Sequence, residues 1–188
     1  MKNLILASAS PRRRELLSLF GIPFTVRVAD IDEAMDPTKS PCDEVARVSC
    51  RKALAVERGP EDVVVAADTI VVCAGRILGK PHSREEAVSM LETLSGRHHV
   101  VYTGLAVLRG GETVSDHEAT EVRFRPLSRE EIAAYVDTGE PMDKAGAYGI
   151  QGRGALLVEG IVGDYFNVMG LPVCRLGQIL NQFGVKTL

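Results

Sequence analysis

The amino-acid sequence predicts an α/β fold built on a mixed sheet, and three observations carry that expectation. Residues 63–72, VVVAADTIVV, are apolar without alternation, as a strand covered on both faces would be. Helix-start signals follow closely on short apolar runs elsewhere, so strands and helices interleave along the chain. Gly110-Gly111 separates two further strand-like runs closely enough to form a hairpin, which adds antiparallel pairing.

Taken in order, residues 3–7 read as a short strand. Ser10 suits an N-cap and Pro11 the first helical position. Leu16, Leu17 and Phe20 then share a helical face, and Gly21 is placed to end the helix. Residues 24–28 predict a second strand, leading into the acidic loop 29–36. Ser40-Pro41 repeats the cap-then-proline pattern and opens a helix to about Arg58, with Val45, Val48 and Leu54 facing inward and Gly59-Pro60 as its stop. After the strand at 63–72, Ala74-Gly75 predicts a turn into a return strand at 76–78. Ser83 and Glu86 have capping-box spacing for a helix ending near Gly96, and Ser128 and Glu131 form a second box for a helix to about Thr138. Strands at 100–108 and 114–124 flank the hairpin turn, and residues 139–154 form a glycine-rich loop. A strand near 155–162 and a helix near 173–183 complete the chain. No repeat, low-complexity tract or linker interrupts it, so 1–188 reads as one domain.

The formal net charge of −3 advertises no global affinity for nucleic acid or anionic membrane, so any positive site must be local. Cys42, Cys50, Cys73 and Cys174 form no C-x-x-C pair and read as free thiols of a reducing cytoplasm. No apolar run reaches the ~18 residues that a membrane-spanning helix needs, and no apolar leader with a cleavage site is visible.

Two local features point to chemistry. The first is Arg12-Arg13-Arg14 in the first turn of a helix, where the partial positive charge of the backbone disfavours arginine. A strand, a small-residue turn and a helix start together collect phosphate through free backbone N–H groups. Ser8 and Ser10 add hydroxyl donors, and at most two of the arginines face one ligand. The competing reading is a solvated basic turn with surface pairs, as with Glu15, contributing only about 0–1 kcal/mol. The spacing does not match a Walker-type loop. The second feature is Asp68, a lone carboxylate in the apolar run. It binds a divalent metal, acts as a base, or stands at the strand's end capping a loop. Thr69 points to the opposite side of a regular strand, which favours Asp68 lying where the strand opens into a cleft.

Glu33 in the acidic loop, Lys52 on the second helix, Lys80 in LGKP, and Lys144 and Gln151 in DKAGAYGIQGRG extend this set. Carboxylates for a metal, cations for phosphates and an amide for a base edge make the inventory of a nucleoside triphosphate site.

The motifs S-x-S-P-R-R, A-A-D-T-I-V, G-K-P and D-K-A-G-A-Y-G-I-Q-G, in this order, resemble those of the Maf proteins. These are nucleoside triphosphate pyrophosphatases historically named as septum-formation inhibitors, and the resemblance covers essentially the whole chain. It implies an α/β fold with a long, strongly twisted mixed sheet flanked by helices. Two lobes would surround a cleft, similar to the inosine triphosphate pyrophosphatases. It implies hydrolysis between the α- and β-phosphates, dependence on a divalent cation, Mg or Mn, and a family that is often dimeric. Asp68 matches the family's proton acceptor. Arg12, Thr69 and Gln151 match the branch preferring dTTP and UTP, whereas a sister branch acting on 7-methyl-GTP differs there. Ser8, Arg13, Glu33, Lys52 and Lys80 match the family's remaining polar set.

On this reading Asp68, with Glu33, holds a metal that lowers the pKa of an attacking water, or Asp68 accepts the water's proton directly. Arg12, Arg13, Lys52 and Lys80 neutralise the phosphates, and Gln151 offers both donor and acceptor to a pyrimidine edge. A nucleotide- or nucleic-acid-binding regulator of cell division is the non-enzyme alternative. The acidic net charge and the absence of Trp count against it. A pyrophosphatase for modified purine triphosphates is the other.

Overall fold

The computed structural model describes residues 3–36 and 38–187. In chain order its elements are β1 (Leu4–Leu6), α1 (Pro11–Ser18), β2 (Phe24–Val26), α2 (Pro41–Ala55), β3 (Val63–Cys73), β4 (Arg76–Leu78), α3 (Arg84–Leu94), β5 (His98–Arg109), β6 (Glu112–Phe124), α4 (Arg129–Val136), β7 (Val158–Val162), α5 (Tyr165–Met169) and α6 (Val173–Gln182). Three 3-10 turns, Glu140–Asp143, Ala145–Ala147 and Gly152–Leu156, shape most of the glycine-rich loop.

The strands form one seven-stranded sheet in the order β2-β1-β3-β5-β6-β7, with β4 paired to β3. β1 runs parallel to both neighbours, pairing Leu4 with Phe24 and with Val63. β4 and β7 are antiparallel to β3 and β6, so the sheet is mixed, as the sequence predicts. β1 pairs with Val63–Val65 and β4 pairs with residues 71–73, so Asp68 sits in the interval of β3 that neither pairing covers. The strand-end reading of Asp68 is thereby corrected. The carboxylate is the sixth of eleven strand residues, and β3 continues to Cys73.

The chain divides into two compact units. One holds the chain up to Asp68, Thr103–Glu118 and the chain from Gly170; the other holds Thr69–Tyr102 and Ala119–Met169. The first has a core of Ile5, Ala7, Ala53, Val56, Val64, Ala66, Ala106 and Leu108. In the second, α3 buries Ala87, Met90, Leu91 and Leu94, the i, i+3, i+4, i+7 stripe of an amphipathic helix. They meet Phe124, Ile132 and Tyr135 in its core.

The caps mostly form as the sequence predicts. The Ser10 side chain accepts from the Arg13 amide, and Ser128 with Glu131 makes a complete capping box. Ser83 accepts from the Glu86 amide at 3.1 Å, but the Glu86 carboxylate reaches back to the His82 amide instead of closing the box. Ser40 makes no side-chain cap bond. Leu54 is a second correction. It is 54% exposed, because nine residues separate it from Val45 and two and a half turns place it on the opposite face. Ala53 and Val56 are buried in its stead.

Candidate active site

In the first unit, β1 ends at Leu6 and the chain turns through Ser8 into α1. The amide of Ala7 donates to Val65 O at 2.8 Å, which ties the turn to β3. The buried Ser8 hydroxyl accepts from the Ser10 amide at 3.3 Å and from Arg13 Nη1 at 3.2 Å. Arg13 Nε donates to Gly170 O at 2.8 Å. Arg13 is therefore aimed by two anchors rather than left to solvent. Burial lowers its pKa, the carboxylates of Asp68 and Glu33 oppose that, and the charge of Arg12 adds to it. Arg12 is half-buried and Arg14 is exposed, so the three arginines do diverge around the helix.

Lys52 joins the two carboxylates. Its Nζ lies 2.6 Å from Asp68 Oδ1 and 3.0 Å from Glu33 Oε2. Lys52 sits beside Val48 and Ser49 on the buried side of α2, so its stem runs along apolar surface and delivers the ammonium to Asp68. The Lys52 and Asp68 side chains are only 13% and 10% exposed, whereas that of Glu33 is 53% exposed. This is an ion pair largely withdrawn from water, with a wet third member.

The loop carrying Glu33 is held by residues the sequence reading passed over. Arg47 donates to Ala34 O at 2.8 Å and to both Glu44 oxygens, and Glu44 Oε2 accepts from the Asp36 amide at 2.7 Å. These hydrogen bonds, Arg47 first, hold the Glu44 carboxyl down at about 2. Glu44 and Arg47 were legible only as an ordinary i, i+3 surface pair.

In the second unit, Thr69 is half-buried, while Lys80 and Gln151 are exposed. Gly146 N donates to Gly79 O at 3.0 Å, which fastens the segment before Lys80 to the glycine-rich loop. Lys144 is committed within that loop, donating to Glu140 O and to Asp143 Oδ1, each at 2.6 Å. Its side chain is therefore a brace of the loop backbone, not a spare phosphate ligand. Tyr135 and Glu140 also grip the loop, and no motif pointed to them.

Among the described residues no three His, Cys, Asp or Glu side chains gather as a metal cage. Asp68 and Glu33 nonetheless offer oxygen donors on either side of one ammonium. That donor set fits a hard cation completed by phosphate oxygens and water, as Mg is usually held. Among the described residues the four cysteines are free, and no helix is long and apolar enough to cross a membrane.

The family model described as Maf-like protein matches residues 3–183. A dTTP/UTP pyrophosphatase of Symbiobacterium thermophilum is 58% identical over 185 residues, spanning 98% of this chain and 95% of that protein. One from Moorella thermoacetica is 56% identical over 189 residues, spanning 98% and 97%. Among solved structures, a HAM1 protein from Coxiella burnetii superposes with a TM-score of 0.52 at 18% identity, covering 97% of this chain and 100% of that one. At that identity the likeness shows the fold.

Proposed function

Because this chain belongs to the Maf-like protein family, we propose that it is a nucleoside triphosphate pyrophosphatase that converts dTTP and UTP to the monophosphate and pyrophosphate, cleansing the nucleotide pool. The relatives at 58% and 56% identity carry that activity in their names. The observation that carries the reading in this chain is the Glu33–Lys52–Asp68 cluster beside the Ser8–Arg13 turn.

Water attacks the α-phosphorus, and the bond to the bridging oxygen breaks as pyrophosphate leaves. Lys52 holds Asp68 Oδ1, which fixes the carboxylate and leaves Oδ2 to take the water's proton. Arg13, oriented by Ser8 and Gly170, together with Arg12 and Lys80, neutralises the triphosphate as charge moves to the leaving group. Asp68 and Glu33 would hold a divalent cation, Mg or Mn, which when bound would supply charge neutralisation and Lewis-acid activation of water. Gln151 reads the base through an amide that both donates to and accepts from the O4/N3 edge. The free thiols fit a reducing cytoplasm.

Pyrophosphate release from a nucleotide panel, with and without EDTA, tests this. Fast, EDTA-sensitive release from dTTP and UTP is expected. Preference for purines, or binding without turnover, would contradict it.

A further inference from the structure

We propose that Glu140, with Tyr135, is a positioning residue that sets the backbone of the segment displaying Gln151, and so governs which base the enzyme accepts. This rests on the reading of Gln151 as the base-reading side chain.

The carboxylate of Glu140 is spent on that one segment. Oε1 accepts from the Gly154 amide at 3.0 Å and from the Tyr135 hydroxyl at 2.9 Å, and Oε2 accepts from the Arg153 amide at 3.0 Å. The Tyr135 hydroxyl in turn accepts from the Gly149 amide at 3.2 Å. Gln151 stands between these anchor points, with an extended backbone and an exposed side chain. The backbone is thus gripped two residues before Gln151 and two and three residues after it, while the amide stays available.

The grip is built on something rigid. The Tyr135 ring is buried in the core formed by α3, α4 and β6, so its hydroxyl is a fixed point. Lys144 Nζ donates to the Glu140 carbonyl, which holds the backbone behind the carboxylate. The glycines around Gln151 make the close approach feasible. A Cβ at Gly152, whose φ is +66°, would lie 2.7 Å from Glu140 Oε2, and one at Gly154 would overlap the Gly149 carbonyl. Burial raises the Glu140 pKa, but the bonds from the Gly154 and Arg153 amides outweigh it and lower the net value. A carboxylate suits this post because its two oxygens accept all three donors, and no neutral side chain of this length does so.

Glu140→Gln keeps the shape but turns an NH2 group toward a backbone N–H. Tyr135→Phe removes only the hydroxyl. Each variant is assayed for kcat and KM with UTP and with CTP, which differ at the edge Gln151 reads. Gln151→Ala runs in parallel. The expected result is a fall of about tenfold in the UTP-over-CTP ratio of kcat/KM in both variants, through KM for UTP, with kcat held within a few fold. An unchanged ratio in both, while Gln151→Ala lowers it, would overturn the positioning role and leave the reading of Gln151 standing. An unchanged ratio in Gln151→Ala would overturn that reading, and the positioning role with it. Amide hydrogen exchange of Tyr135→Phe without substrate gives a second readout. Faster exchange at Gly149 and Gly154 is expected, and wild-type protection there would overturn the proposal.

Discussion

Lys52 shows what one side chain does at this site. It faces a buried carboxylate at 2.6 Å and a wet one at 3.0 Å, and the two contacts differ in weight. Removing a partner from a largely buried pair is costly, about 3 kcal/mol, whereas an exposed pair contributes roughly 0–1 kcal/mol. Lys52→Met should therefore destabilise the fold by about 3 kcal/mol and Glu33→Gln by less than about 1 kcal/mol, read by urea denaturation. Equal costs would mean that the Asp68 contact carries no special weight. Asp68→Asn should lower turnover by roughly 10²–10⁴-fold with an unchanged circular dichroism spectrum, since it removes the proton acceptor while keeping the shape. The individual residues were legible because a lone aspartate in an apolar strand and arginines at a helix start are locally unfavourable without a partner. Their partners were not. Nothing in the spacing from Lys52 to Asp68, or from Arg13 to Gly170, announces a contact between elements distant in sequence.

At the scale of elements, the sequence is most legible where a cap, a proline or a turn glycine marks a boundary. Caps, prolines and turn glycines placed the helices and the hairpin near their observed bounds. The short helix α5 was missed because five residues are too few for a periodic pattern, although Asp164 caps it by accepting from the Phe166 amide at 2.8 Å. Leu54 does not share the inward face of Val45 and Val48, because the helical repeat turns it half a revolution from Val45. The correction is testable: Leu54→Glu should change stability by no more than about 0.5 kcal/mol, whereas Leu91→Ala on α3, fully buried, should cost about 2–5 kcal/mol. A large loss at Leu54 would show that its face is covered in solution.

For the whole molecule, neither the strand order nor the interleaving of the two units could be read from the chain, because both depend on contacts across many residues. Stability against pH is a property at this scale. His99 is buried, its Nε2 lies 2.8 Å from the Tyr148 hydroxyl, and its ring meets Phe124 and Tyr148 edge to face. Burial, with a smaller contribution from His98, lowers its pKa from 6.5 to about 4. The unfolded chain then binds more protons between those values, so stability rises with pH across that window and is complete above it. The contribution at neutral pH is roughly 3 kcal/mol, lost as pH falls from about 6.5 to 4. His99→Phe should flatten the denaturation free energy across that window; a slope equal to that of the wild type would assign it to other groups.

Attack of water at the α-phosphorus, assisted by Asp68, distinguishes the proposed pyrophosphatase from an enzyme that removes single phosphates. The most direct measurement is product analysis of dTTP and UTP turnover in isotopically labelled water, wild type beside Asp68→Asn. One labelled oxygen in the monophosphate, unlabelled pyrophosphate, and almost no product from the variant are expected. Label in the pyrophosphate, release of single phosphates, or near-normal turnover by Asp68→Asn would contradict it.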